Sequence, residues 1–167
     1  RDYYASRGLG DVYKRQEQTL QLRAERFTEV DEASIPTGRL LPVAGTALDF
    51  RKPKALKLGQ EERLLVPQGG VDHNFALDPG EGPAARLVCE KTGRVLTVYT
   101  DCPGVQVYTA NFLEARGKGG RVYGKRSGVC LETQFYPDSP NHPGWPSPLV
   151  KAGEQRESVT EFVFGIC

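Results

Sequence analysis

The sequence predicts an all-β fold, and three observations carry that expectation. Nineteen Gly and twelve Pro in 167 residues favour frequent turns over long helices, because proline removes a donor and clashes inside a helix while glycine adds backbone entropy to be lost. Apolar residues recur with a period of two in short runs, as on a strand with one buried face. Gly/Pro connections separate these runs and no amphipathic helical stretch intervenes, which indicates an antiparallel sandwich or barrel and argues against a parallel α/β fold.

The elements follow in chain order. From Glu17, Leu20, Leu22 and Ala24 alternate with Gln21, Arg23 and Glu25, the pattern of a half-buried strand. Residues 35–46, IPTGRLLPVAGT, carry Pro36, Gly38, Pro42 and Gly45 and read as an irregular connection. Residues 84–90 and 94–100 flank Lys91-Thr92-Gly93 and are expected to pair as a hairpin. Pro103-Gly104 ends that run and opens a strand over 105–109, with further strands expected over 128–134 and 159–166, rich in Val, Phe, Thr and Ile. Residues 136–148, YPDSPNHPGWPSP, hold five prolines; a loop of that length in a compact domain is usually functional or disordered.

Residues 1–16 differ from the rest. RDYYASRGLGDVYKRQ has neither periodicity and is set apart as an unrelated or artefactual tail, leaving one domain over 17–167. With 22 Lys plus Arg against 21 Asp plus Glu, the formal net charge is +1, and interspersed charges of this kind do not suggest a nucleic-acid partner. No run of about 18 apolar residues appears, so no membrane span is expected. Cys89, Cys102, Cys130 and Cys167 show no CxxC spacing; without an export signal, reduced thiols in the cytoplasm are expected. Cys89 and Cys130 stand in apolar runs and read as small core residues. His73 and His142 lie too far apart in sequence for a His-rich metal site, and no HExxH, GxSxG or Walker loop is present.

Three polar residues stand out against apolar strand-like surroundings: Asp72 in GVDHNF, Gln106 in PGVQVYTANF and Glu132 in GVCLETQ. Such groups are costly to bury unless paired or used. Each also has a plain structural use: a turn cap for Asp72, a solvent-facing side chain for Gln106, an ion pair with Lys125 or Arg126 for Glu132.

Together with VDEASIPTGRLLPVAGTALDFRKP upstream and SGVCLETQFYPDSPNHP, these blocks resemble, in this order, the C-terminal half of the galactose mutarotase (aldose 1-epimerase) family. The resemblance runs from about Glu17 to the C-terminus. It implies an antiparallel β-sandwich of the mutarotase type, expected to be incomplete in this chain, and an enzyme that interconverts the α and β anomers of free aldohexoses such as galactose and glucose without a cofactor. By the same resemblance Glu132 is the general base at the anomeric hydroxyl, and Asp72 and Gln106 hold sugar hydroxyls. Phe135, Tyr136 and Trp145 are candidates for stacking on a sugar face. The family's general-acid histidine belongs to a block upstream of the segment aligned with Glu17; neither His73 nor His142 matches it, so the chain is expected to be a fragment lacking that residue. Two other readings are a non-catalytic carbohydrate-binding module and a relative acting on hexose 6-phosphates, the latter poorly supported by the near-neutral charge.

Overall fold

The computed structural model describes residues 18–56 and 64–167; residues 1–16, set apart on sequence grounds, lie outside them. Among the described residues twelve strands account for the regular structure. In chain order they are β1 (Gln18–Leu22), β2 (Arg26–Val30), β3 (Pro36–Pro42), β4 (Lys54–Ala55), β5 (Asp72–Ala76), β6 (Ala85–Cys89), β7 (Arg94–Thr100), β8 (Gly104–Tyr108), β9 (Ala115–Arg116), β10 (Val122–Tyr123), β11 (Cys130–Gln134) and β12 (Thr160–Ile166). Two five-stranded antiparallel sheets result, in the orders β12-β7-β6-β1-β4 and β11-β8-β5-β2-β3, with β9 and β10 as a separate pair. The only helical pieces among the described residues are single 3-10 turns.

Alternation builds the core. Leu20 and Leu22 of β1, Ala85 and Leu87 of β6, and Leu96 and Val98 of β7 come from the first sheet; Phe27, Phe75, Val105, Val107 and Leu131 come from the second, all in one buried cluster with Phe50 and Leu48. Phe50 and Phe75 meet edge to face with centroids 6.0 Å apart, a preferred aromatic geometry. The predicted hairpin is present, with Leu87 opposite Leu96 and Ala85 opposite Val98. The expected strands at 105–109, 128–134 and 159–166 appear as β8, β11 and β12, displaced by at most two residues at their ends.

The stretch 35–46 corrects the sequence reading, since Pro36–Pro42 is a strand rather than an irregular connection. It forms the edge of the second sheet, where missing proline donors leave no central ladder broken. Its register with β2 shifts between Thr28 and Val30, and the turn before it is closed by Asp31 Oδ1, which accepts from the Ala33 and Ile35 amides at 2.9 Å each. Salt bridging of Arg39 to Glu29 ties the two strands on the surface.

Candidate functional site

Three neighbouring strands of the second sheet, β5, β8 and β11, present the polar residues singled out above. Because successive side chains alternate, Val105, Val107, Leu131 and Phe75 face the core, and Gln106, Glu132, Asp72 and Asn74 share the opposite face. Register arranges that face in rows. Gln106 lies opposite Glu132 on one side and Asn74 on the other. The adjacent row sets Tyr108 opposite Asp72 and Cys130. The third sets Gly104 opposite Ala76 and Gln134.

Asp72, Gln106 and Glu132 are thus brought together from positions up to 60 residues apart in the chain. Gln106 Nε2 donates to Asp72 Oδ1 at 2.7 Å, so Asp72 serves as partner to Gln106 rather than as a turn cap. Burial pushes the Asp72 carboxyl above its ordinary value, and the Gln106 bond works against that rise. Glu132 is also raised, first by burial and then by the charge of Asp72. Among the described residues Glu132 forms no ion pair with Lys125 or Arg126; the carboxylates that do pair with arginine there include Glu29 with Arg39 and Asp49 with Arg51. The Asp72 charge disfavours ionisation of the neighbouring Glu132, which raises the affinity of Glu132 for a proton.

Cys130 corrects the expectation of a core thiol. It is only partly buried and lies on the polar face in register with Tyr108, with its pKa raised by burial and by the charges of Glu132 and Asp72. Cys89 is a core residue as expected, 6% exposed. All four thiols are free.

The histidines sit elsewhere. His73, next to Asp72, falls on the other face of β5, 4% exposed and edge-on to Phe27 at 5.8 Å. Its Nδ1 accepts from the Asp72 amide at 3.1 Å, and burial lowers its pKa to about 4, against a hydrogen bond with the Leu64 backbone that raises it. His142 belongs to the proline-rich segment. Its Nε2 stands 3.3 Å from Asp138 Oδ2, and its ring packs 4.4 Å from Trp145. A methyl group on Gly38 of β3 would lie 2.9 Å from His142 Nδ1, so glycine there makes room for the imidazole.

That segment forms a strap. Tyr136, 8% exposed, meets Trp145 edge to face at 5.4 Å and packs on Gly104, where a Cβ would come within 2.9 Å of its Cδ1. The strap therefore runs from the end of β11 over Gly104 to Gly38 on the far edge strand. Of the three aromatic stacking candidates, Tyr136 is committed to packing, Trp145 lies against Tyr136 and His142, and Phe135 carries Arg156 over its ring at 5.0 Å.

Sequence reasoning passed over Asn74 and Tyr108 and took Cys130 for a core residue. The signal was available: each lies two residues from Asp72, Gln106 or Glu132, and i, i+2 residues of a strand share a face. No group of three or more His, Cys, Asp or Glu suited to hold a metal occurs among the described residues, and no helix among them is long and apolar enough to cross a membrane.

A β-sandwich whose polar face joins a raised carboxylate to a second carboxylate and a fixed carboxamide is equipped to take a proton from one hydroxyl while holding its neighbours. Comparison with known proteins gives that class a family. Residues 8–163 match the aldose 1-epimerase family, beginning within the segment set apart on sequence grounds, and the chain belongs to this family. It is 43% identical over 166 residues to galactose mutarotase of Sus scrofa, covering 97% of this chain and 47% of that protein, and 38% identical over 154 residues to aldose 1-epimerase of Escherichia coli, covering 87% and 44%. Among solved structures it is similar to an aldose epimerase homologue from C. elegans, with a TM-score of 0.83 and 28% identity over 92% of this chain and 47% of that one. The chain spans about half the length of the curated relatives it matches.

Proposed function

We propose that this chain carries the base-bearing part of an aldose 1-epimerase site that opens and recloses the ring of free aldohexoses such as galactose and glucose. The observation that supports it best is the convergence of Asp72, Gln106 and Glu132 on one sheet face, with Gln106 bonded to Asp72 and opposite Glu132. Glu132 takes the proton from the anomeric hydroxyl. As the C1–O bond to the ring oxygen breaks, the exocyclic oxygen becomes the aldehyde carbonyl and the ring oxygen takes up a proton. Rotation about C1–C2 and reclosure on the other face then give the second anomer, with Glu132 returning its proton. Asp72 accepts from one sugar hydroxyl and the second Nε2 proton of Gln106 donates to another, holding C1 against the base.

The proton for the ring oxygen needs an acid. His73 is on the core face of β5 and His142 is packed into the strap, so we assign that role to a residue in the part of the family's length that this chain does not span. The substrate binds as a free monosaccharide without a cofactor, and the four free thiols suit a cytoplasmic setting.

Polarimetry of fresh α-D-galactose with the full-length protein tests this reading. Glu132→Gln is expected to lower the rate by about 10²- to 10⁴-fold, the usual contribution of a positioned base, while leaving galactose binding in place. Undiminished mutarotation in that variant removes Glu132 from the role of base. Saturable galactose binding by the unaltered full-length protein without mutarotation replaces the enzyme with a carbohydrate-binding module.

A further inference from the structure

Beneath Tyr136 the site face holds a group of buried polar atoms without partners. Asn74 is 2% exposed, yet neither its Nδ2 nor its Oδ1 makes a hydrogen bond, and Gln106 Oε1 is buried and unbonded as well. The two residues face each other across β5 and β8, and Cβ atoms so opposed lie about 4.5–5.5 Å apart, within reach of an amide–amide bond. Thr28 Oγ1 does not answer for the Asn74 side chain, because it donates to the Asn74 backbone carbonyl at 3.4 Å. Room for the amide comes from Gly104, where a methyl group would stand 2.8 Å from Asn74 Oδ1.

The polarity of the arrangement is determined by Asp72. An ionised carboxylate only accepts, so the nitrogen of Gln106 must face Asp72, as it does at 2.7 Å, and its oxygen must face away and needs a donor. We propose that Asn74 is a positioning residue for Gln106: a turn of its side chain, which the opposed strands allow, brings Nδ2 to the unbonded Gln106 Oε1 and locks the carboxamide in the one orientation that serves both Asp72 and a sugar hydroxyl. Leaving a buried acceptor unpaired costs free energy, so the lock also keeps Gln106 from turning over. The atoms concerned are buried, which makes the bond stronger than it would be in solvent.

This inference rests on the sugar-site reading, and the test separates the two. In the full-length protein, Asn74→Ala is expected to raise KM for galactose about tenfold, the scale of one neutral hydrogen bond, with kcat little changed. Asn74→Leu, nearly equal in size but lacking both donor and acceptor, should do the same and guards against a misfolded alanine variant; Asn74→Ser, which keeps a donor, should recover part of the loss. An unchanged KM in both the alanine and leucine variants overturns the assignment. Independently of any activity, a nuclear Overhauser contact between the side-chain amide protons of Asn74 and Gln106 is expected in the unaltered protein, and its absence overturns the assignment too. If the unaltered protein neither binds nor turns over galactose while that contact is present, the functional reading falls and the Asn74–Gln106 lock stands.

Discussion

The two faces of the sheet formed by β11, β8, β5, β2 and β3 make a close comparison, because the same five strands supply both. On the inner face Phe27, Phe75, Val105, Val107 and Leu131 are at most 4% exposed, and what they need is volume and apolarity. On the outer face Asp72, Asn74, Gln106 and Glu132 call for partners of defined polarity, and register decides which of them find one: Gln106 reaches Asp72 on the neighbouring strand and faces Glu132 on the other, while the Asn74 side chain is left without a bond. Asp72 and His73 show the contrast within one dipeptide. Burial acts on both, raising the carboxyl and lowering the imidazole, because in each case it opposes the charged form. Inner-face changes should therefore be read in stability and outer-face changes in chemistry.

The largest stability effect should come from the inner face. Phe75→Ala removes a ring that is 0% exposed and packed on Phe50, and about 3–5 kcal/mol should be lost, measurable as a fall in denaturant midpoint. A loss below about 1 kcal/mol would mean that the inner face tolerates rearrangement as freely as a surface.

His73 sharpens the comparison through pH. Its folded pKa of about 4 lies below the ordinary 6.5, so the unfolded chain takes up a proton first as pH falls. Its contribution is complete above pH 6.5 and lost as pH drops from 6.5 through 4, roughly 3 kcal/mol over that window. Asp72 and Glu132, both raised, act with the opposite sign, favouring the fold while protonated and losing that advantage as pH rises through their folded pKa values. The stability difference between the unaltered protein and His73→Gln, followed from pH 7 to 4, isolates the histidine; a difference that stays constant would show that His73 is not held neutral.

Gly104→Ala tests whether the strap is seated on the outer face. The added methyl would meet Asn74 Oδ1 at 2.8 Å and Tyr136 Cδ1 at 2.9 Å, an overpacking expected to cost about 1–3 kcal/mol and to change the near-ultraviolet dichroism of Tyr136 and Trp145. An unaltered spectrum would detach the strap from Gly104. The smallest effect belongs to the surface of β12: Phe164 is 65% exposed, and Phe164→Thr should shift stability by no more than about 0.5 kcal/mol while improving solubility.

What the sequence alone determined was the class of fold, the strands whose apolar residues alternate, and the three polar residues that interrupt such runs. Local chemistry suffices for these, because a period of two and a misplaced charge are both visible within a few residues. It misread 36–42, since prolines that end a strand in the middle of a sheet are tolerated at its edge, and the edge is defined only by what pairs with what. It also placed Cys130 in the core, because an apolar neighbourhood in sequence does not say which face of a strand a residue takes. Only the tertiary structure decided that Gln106 bridges toward Asp72 and faces Glu132, that Asn74 stands unpartnered beside it, and that Tyr136 and His142 reach Gly104 and Gly38. These are contacts between residues brought together by register across strands far apart in the chain, and register follows from the burial of a whole face at once.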